Sequence, residues 1–404
     1  MLVIRQEKLN SIMLFRFLDF KLLPLYFIFF AEILVNFEKN YSSLLKVIAV
    51  LFMIIIILVK KNSKINFLYI QLLIIVLLLY SYKIYNLEAY LTEFFRYLFP
   101  MIFLLYSYTL RTESIKVVKL FLTYVIFNDI AQVILYILFF ITGDVYFANH
   151  FDFGLILRAS GLMEAMTSFA FLNVVAFLIA YFFQYNLLKK IFFLFILLSF
   201  SLKMLIFILI FFMLKLSIKS LLPGFFILTS TLFLFQPYFN DFIYVFSQKI
   251  ELYLLTFESA RAQSYLVMIK YLNDNLFIGE GIGSFGGPSS VIYNSPIYDK
   301  YNFQWFDMTN ISTTDTFYPH LVVETGVIFT FLYLALFFLP LIINSKVVNP
   351  KNKSLIIYII VALFVDSFMS YGLNSPTYLI SVILIYPLMY FNTIESYNSI
   401  RKKA

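Results

Sequence analysis

Long hydrophobic runs separated by short polar segments make up most of the chain. Most runs are about 17 to 25 residues long, the length that crosses the hydrocarbon core of a bilayer as a helix. Lipid offers no partner for backbone N–H and C=O groups, so each run is predicted to be an α-helix. The pattern indicates an all-α fold, a polytopic integral membrane helix bundle with about twelve transmembrane helices. The predicted spans are residues 21–37, 43–59, 65–82, 94–110, 116–141, 161–184, 190–201, 202–216, 221–237, 321–344, 354–371 and 376–391.

The seventh and eighth spans are shorter than the others. They are interpreted either as a helix pair bent near Ser201 and Lys203 or as a re-entrant pair.

Composition agrees with this pattern and narrows the classes of function. Apolar residues make up 62% of the 404, and only 13% are charged, so the chain has too little polar surface for a soluble domain. We expect one polytopic membrane domain over residues 1–404. Cysteine is absent, which excludes disulfides and thiol nucleophiles. Basic residues interrupt the N-terminal segment, so the first helix is predicted to be a retained anchor rather than a cleaved signal.

Basic residues orient the predicted bundle. With both termini on the cytoplasmic side, about 20 of the 30 Lys and Arg residues fall inside, as the positive-inside rule requires. The net charge of +8 is therefore a signal of topology. Nucleic-acid binding is not expected, because no basic and aromatic surface cluster accompanies that charge.

Acidic residues concentrate in two predicted outer loops, residues 142–160 and 238–320. The second loop is about 80 residues long and lies between spans nine and ten, and loops of that length are uncommon unless functional. It contains five of the eleven glycines. Helical apolar spacing over residues 260–277 predicts a helix that lies on the membrane surface or caps the bundle.

A GxGxxG spacing occurs in the second loop at Gly281, Gly283 and Gly286. Dinucleotide binding is rejected, because no βαβ context surrounds the motif and Pro288 follows at once. The simpler interpretation is a tight turn that requires glycine. The alternative is a turn whose backbone N–H groups contact a substrate.

Three cations fall on the outer side of the predicted bundle. Arg158 lies where the first outer loop enters span six, in a segment that also contains Glu164, and Arg261 begins the predicted surface helix. Lys203 lies near the outer turn between spans seven and eight. An arginine fork holds phosphate oxygens bidentately, and a low dielectric strengthens that contact. The alternative is that each arginine reaches lipid headgroups or pairs with a nearby carboxylate.

Polar residues also gather where the second loop enters span ten. Asp315 is able to accept a proton from a sugar hydroxyl, or it can cap the helix together with Thr316. His320 is interpreted first as a packing residue at the interface. Glu324 lies one turn inside the span and needs a partner, so pairing with an arginine and a catalytic role are equally good interpretations.

Two further acids, Asp129 and Asp366, lie deeper in predicted spans and are expected to hold helices together. The sequence contains no DxD motif and no metal-ligand spacing, and its two His residues are too few for a histidine metal site. A reaction at this site is therefore expected to proceed without a metal or cofactor, with basic side chains neutralising the leaving group.

In topology and in local motifs the chain resembles the O-antigen polymerase and O-antigen ligase superfamily, the polytopic enzymes of bacterial surface polysaccharide assembly. The likeness of topology covers most of the chain. The motifs that carry it are Arg158 with Gly161 and Glu164, Arg261 followed by residues 275–283, and Phe317-Tyr318 ahead of residues 323–326. Members of the superfamily show an arginine in each of two large periplasmic loops and a glycine-rich turn in the second.

The polymerase branch, the Wzy type, is the better match. Ligases look like "His-Asn-x-Tyr-Leu" about eleven residues before the Gly of "E-x-G", and this chain has Asp315 and Thr316 there, with His320 out of register. The resemblance implies a metal-independent membrane glycosyltransferase on the periplasmic face of the bacterial inner membrane. Such an enzyme transfers a growing glycan from undecaprenyl diphosphate onto a new lipid-linked repeat unit of an O-antigen or capsular polysaccharide.

The resemblance and the charge pattern together assign expected roles. The expected catalytic residues are Arg158, Arg261, Asp315 and Glu164, and the expected substrate-binding residues are Lys203, Gly281, Gly283, Tyr318, His320 and Glu324. The implied partners are the undecaprenyl-diphosphate-linked oligosaccharide, membrane lipid and a chain-length regulator. Two alternatives stay open: a ligase that moves polymer to lipid A-core, and a flippase or other transporter of lipid-linked oligosaccharide. Transporters place polar residues at the midplane in repeated halves, whereas here they gather at one face.

Overall fold

The computed structural model describes residues 19–59, 64–79, 83–144, 158–215, 259–274, 277–303, 316–344, 346 and 348–391. The regular structure in these ranges is helical throughout, in agreement with the predicted all-α bundle. The α-helices are α1 (Leu23–Leu34), α2 (Lys39–Val59), α3 (Lys64–Leu79), α4 (Leu87–Thr109), α5 (Ser114–Thr142), α6 (Met166–Phe182), α7 (Asn186–Leu198), α8 (Leu202–Lys215), α9 (Ala260–Asp274), α10 (Pro288–Ile292), α11 (Pro296–Lys300), α12 (Phe317–Ala335), α13 (Leu339–Ile343), α14 (Pro350–Ser367) and α15 (Pro376–Ile383).

Three of the described helices are long and apolar enough to cross a membrane: Lys39–Val59, Arg111–Thr142 and Phe317–Ala335. Helices overlap the other predicted spans as well, except residues 221–237, which lie outside the described residues. The number of spans and the side of the membrane on which each loop lies stay predictions.

Helix α6 is the centre of the bundle. It is apolar on all sides and buried at nearly every position, the pattern of a helix enclosed by other helices. Helices α5, α7, α8, α14 and α15 pack around it. Its one interior amide, Asn173, donates from Nδ2 to Asp129 Oδ1 of α5 at 3.1 Å. The predicted role of Asp129 in holding helices together is confirmed.

Helix boundaries differ from the prediction at the outer ends. The span predicted at 94–110 begins earlier, at Leu87, because Asn86 caps it by accepting N–H bonds from Glu88 and Ala89 at 2.9 and 3.0 Å. The span predicted at 321–344 begins at Phe317 and breaks at Gly326, whose φ of 78° and ψ of 170° are not helical. It ends at Ala335, and the short helix α13 follows.

The two short predicted spans are two helices joined by a turn, a form that both predicted arrangements share. Helices α7 and α8 contain 13 and 14 residues. The turn between them contains Phe200 with φ 48°, in the left-handed region. This turn presents Ser199, Phe200 and Lys203 to the neighbouring chain segments.

The surface helix predicted at 260–277 is α9, which ends at Asp274. It packs against α12, so it caps the bundle through protein contacts. A second small core forms beneath it from apolar residues of α9, α11, α12 and the glycine-rich loop.

Candidate functional site

A buried ion pair joins the start of α8 to the end of α14. Lys203 Nζ lies 2.6 Å from Asp366 Oδ1 and donates to the Asp366 carbonyl at 3.3 Å. The Lys203 side chain is 10% exposed and that of Asp366 is 0% exposed. The prediction that Asp366 holds helices together is therefore confirmed.

Arg261 approaches the same carboxylate from the first turn of α9, close enough for its charge to act on Asp366. Two contacts hold this helix in place. The Tyr265 hydroxyl donates to the Phe368 carbonyl at 2.7 Å, and the hydroxyls of Ser264 and Thr316 share a hydrogen bond of 2.7 Å. Thr316 is the N-cap of α12, but its side chain accepts no N–H from that helix.

Arg158 anchors the turn that leads into Lys203. Its Nε donates to the Ser199 carbonyl at 3.2 Å and its Nη2 donates to the Phe200 carbonyl at 3.3 Å. These carbonyls follow the last turn of α7, where a cation is favourable because the helix dipole is negative there. Lys203 thus pairs with Asp366, Arg261 acts on the same carboxylate, and Arg158 bonds to the turn that leads into Lys203. We call these four residues the cation site.

Sequence reasoning missed the residues that hold Arg158 in place. Gln132 Oε1 on α5 accepts the backbone N–H groups of Ser160 and Gly161 at 2.8 and 2.7 Å. One turn earlier, Asn128 Oδ1 accepts the N–H of Leu162 at 3.2 Å. A side-chain amide inside an apolar span is costly without a hydrogen-bond partner. The positions of Asn128 and Gln132 within such a span were therefore the sequence signal that could have found them.

Glu164 lies apart from the cation site in its contacts. Its carboxylate pairs with Lys39 at 3.0 Å, and the two side chains are 51% and 77% exposed. Nothing in this geometry supports the predicted catalytic role, so Glu164 is left out of the proposed site.

A second group of titratable residues consists of four fully buried side chains and one that is partly buried, Tyr371. We call Glu93, Tyr97, His320, Glu324 and Tyr371 the carboxylate cluster. The Glu324 carboxylate accepts from the Tyr97 hydroxyl at 2.9 Å and from the Phe285 N–H at 3.0 Å, and it lies 3.4 Å from His320 Nε2. Tyr371 connects His320 to Glu93, at 2.8 Å and 3.4 Å respectively.

Glu93 falls just outside the predicted span 94–110. In the structure it lies inside α4 and is completely buried. Arg96 pairs with it at 2.9 Å, and Ser289 of α10 lies near its carboxylate. The spacing of three residues between Glu93 and Arg96, which puts the two on one helix face, was the signal that could have found this pair.

The glycine-rich loop wedges between α4 and the break in α12. The N–H groups of Glu280 and Gly281 donate to the carbonyls of Val323 and Glu324 at 2.8 and 3.1 Å. A Cβ on Gly281 would lie 2.4 Å from the Lys83 carbonyl, and one on Gly283 would lie 2.7 Å from that of Ala89. These glycines permit close packing between chain segments, which agrees with the simpler of the two interpretations.

An ionic contact secures the edge of this loop. The Glu280 carboxylate lies 2.7 Å from Lys300 Nζ and 3.8 Å from Lys83 Nζ. The hydrogen bond to Glu280 raises the pKa of Lys300, so this contact persists across the neutral pH range.

The structure thus divides the predicted site residues into two groups. Arg158, Arg261 and Lys203 come together, and Tyr318 lies beside Phe368 at the same end of α14. The described contacts of four other predicted site residues are with neighbouring protein groups outside the cation site. These residues are His320, Glu324, Gly281 and Gly283. Asp315 lies outside the described residues. In comparisons with known proteins, no family model matches the chain and no curated protein sequence is similar to it.

Proposed function

We propose that this protein polymerises lipid-linked oligosaccharide repeat units, by glycosyl transfer on the outer face of the bacterial inner membrane. The observation that supports the proposal most is the grouping of three cations: Lys203 and Arg261 act on the Asp366 carboxylate, and Arg158 bonds to the turn just before Lys203. The sequence predicts that all three lie on the same side of the membrane, and they come from three separate segments of the chain.

The chemistry of the three cations fits a diphosphate ligand. Arginine forks hold phosphate oxygens bidentately, and lysine binds them as a point charge. A diphosphate esterified at both ends by a lipid and a sugar carries two negative charges. Fixed cations of this kind stabilise charge that grows on phosphate oxygens, each by a few kcal/mol in a site that excludes water.

The reaction breaks the bond between the anomeric carbon of the donor glycan and its diphosphate oxygen. The acceptor hydroxyl of the new repeat unit forms a bond to that carbon, and the diphosphate leaves with the electron pair. The hydroxyl proton passes to a base, the role that the resemblance gives to Asp315. The cations of the chain hold the leaving group and fix its orientation.

Arginine substitutions in the purified protein test this proposal with synthetic lipid-linked repeat units and gel analysis of the products. Arg158→Ala and Arg261→Ala are each expected to lower polymer formation by about 100-fold or more, and Arg→Lys is expected to restore only part of it, because an ammonium lacks the fork. Arg111→Ala is the control, since Arg111 stacks on Tyr108 at 3.8 Å and is predicted to lie on the opposite side. Normal amounts of polymer from both Arg158→Ala and Arg261→Ala would refute the proposal.

The carboxylate cluster favours a second candidate, transport of lipid-linked oligosaccharide. Chains of Glu, His and Tyr buried in membrane helices are typical of proton-coupled transporters, and the Glu324–His320–Tyr371–Glu93 series has that form. Vesicles that contain the purified protein distinguish the two functions. Polymer formed from repeat units supplied on one side supports the polymerase, whereas movement of single units across the bilayer without chain growth supports the transporter.

A further inference from the structure

Three aromatic side chains border the cation site at the end of α14. Phe368 follows that helix two residues after Asp366, and its side chain is 52% exposed. The Tyr318 ring packs on it with a centroid distance of 4.6 Å and an interplanar angle of 56°. Tyr265 of α9 bonds to the Phe368 carbonyl. We call these three residues the aromatic shelf.

Hydrogen bonds fix the shelf in position. The Tyr318 hydroxyl donates to the Phe364 carbonyl at 2.9 Å, and the Tyr265 hydroxyl donates to the Phe368 carbonyl at 2.7 Å. Both carbonyls belong to the end of α14, where carbonyl groups lack partners within the helix. The two tyrosines therefore bond to carbonyls at the helix end, and the Tyr318 ring at the same time packs on the Phe368 ring.

The shelf and the cations share one edge of the protein. Arg261 and Tyr265 are four residues apart on α9, so their side chains lie on the same face of that helix. Asp366 and Phe368 are two residues apart at the end of α14. Helix α9 and the end of α14, which each contribute a charge to the cation site, therefore also contribute an aromatic side chain to the shelf.

Contact with lipid is the ordinary reason for an exposed phenylalanine in such a chain. Phe140 and Phe331 are 82% and 70% exposed, and they lie within the helices α5 and α12. Phe368 differs from them because it follows the end of a helix, between two anchored tyrosines and next to a cluster of charges. Phe368 thus has two tyrosine side chains and the Asp366 region near it, a mixture of aromatic and polar groups that is typical of a ligand site.

We propose that the aromatic shelf binds the sugar ring that is attached directly to the diphosphate of the donor lipid. This inference rests on the proposed function. The first sugar is joined to the diphosphate through its anomeric oxygen, so a ligand whose diphosphate occupies the cation site must place that ring within one bond of it. One face of a pyranose ring carries C–H groups, and these pack on the electron-rich face of an aromatic ring.

Two ligands separate the shelf from the phosphate site: polyprenyl diphosphate without sugar, and the same lipid diphosphate carrying one hexose. Binding of each to the full chain is measured by native mass spectrometry in detergent. We expect Phe368→Leu to weaken binding of the sugar-bearing lipid about three- to tenfold and to leave binding of the sugar-free lipid unchanged. Phe368→Trp should retain the preference, and the control Phe331→Leu should leave both affinities unchanged.

Each outcome bears on a different part of the argument. Wild-type protein that binds neither lipid would contradict the proposed function. Arg158→Ala and Arg261→Ala variants that bind both lipids as tightly as the wild type does would contradict it as well. Wild-type protein that binds both lipids with the same affinity would overturn the shelf alone, and so would Phe368→Leu that loses affinity for both lipids equally. Steady-state kinetics give a second readout: a shelf that binds the donor raises KM for the donor in Phe368→Leu and leaves KM for the acceptor unchanged.

Discussion

The cation site and the carboxylate cluster lie on either side of one turn, and they gather side chains of opposite charge. Ser370 bonds to Asp366 of the cation site, and the next residue, Tyr371, belongs to the cluster. In the cluster, two carboxylates receive donors from Tyr97, Phe285 and Arg96, so the protein itself satisfies them. In the cation site, Lys203 pairs with Asp366 and the charge of Arg261 acts on the same carboxylate.

The contrast teaches how to separate a structural ionic group from a binding site. Both groups contain titratable residues within apolar helices, and burial alone would rank the cluster first. A carboxylate that accepts bonds from internal donors requires no further ligand, whereas arginine and lysine side chains are the groups that bind phosphate. The phosphate proposal follows from this difference in chemistry.

Adding a side-chain carbon at Gly326 should disrupt the packing next to the carboxylate cluster. We expect this change to have the largest effect on stability. A Cβ at Gly326 would lie 2.4 Å from the Phe277 carbonyl, and its φ is 78°. We expect Gly326→Ala to lower the free energy of unfolding by about 4 kcal/mol or more. Gly143 has a φ of 75° with no atom within 4 Å of such a Cβ, so Gly143→Ala should cost only about 1 to 2 kcal/mol.

Thermal denaturation of both glycine variants in the same detergent measures this difference. Equal losses in the two variants would mean that backbone conformation, and not the close approach of the glycine-rich loop, sets the requirement at Gly326.

Replacing the Lys203–Asp366 pair should separate stability from activity at the cation site. Lys203→Met leaves Asp366 buried without its ion-pair partner, at a cost of about 3 kcal/mol. Adding Asp366→Leu removes the stranded charge, so the double variant should recover most of that stability. Polymer formation should stay low in both, because a cation that faces the diphosphate has been lost.

Unfolding midpoints and polymer assays of the single and double variants check this prediction. A double variant that regains both stability and polymer formation would show that Lys203 only holds α8 to α14.

The smallest effect is expected at Glu324, where an uncharged acceptor can replace the carboxylate. Glu324→Gln keeps an oxygen for the Phe285 N–H or the Tyr97 hydroxyl and should lower stability by about 1 kcal/mol. Polymer formation should change less than twofold, because the cluster has a structural role. Loss of polymer with an unchanged unfolding midpoint would instead give the cluster a part in function and would favour the transport alternative.

Sequence alone was sufficient to establish the class of the fold and the existence of most helices. Runs of apolar residues longer than any loop require helices in lipid, and this argument needs no tertiary contact. Charge bias then placed Arg158, Lys203 and Arg261 on one predicted side, which is as far as a pattern along the chain can lead. The same reasoning found the surface helix α9 from its apolar spacing.

Tertiary structure alone decided which of these residues meet. Arg158, Lys203 and Arg261 belong to segments far apart along the chain, and their convergence depends on how α7, α9 and α14 pack. Packing also gave His320 and Glu324 partners within the protein: the loop amide of Phe285 and the hydroxyls of Tyr97 and Tyr371 bond to them. A sequence specifies which residues need a partner, since burial of a charge is costly wherever it occurs, but the partner is set by contacts between distant segments.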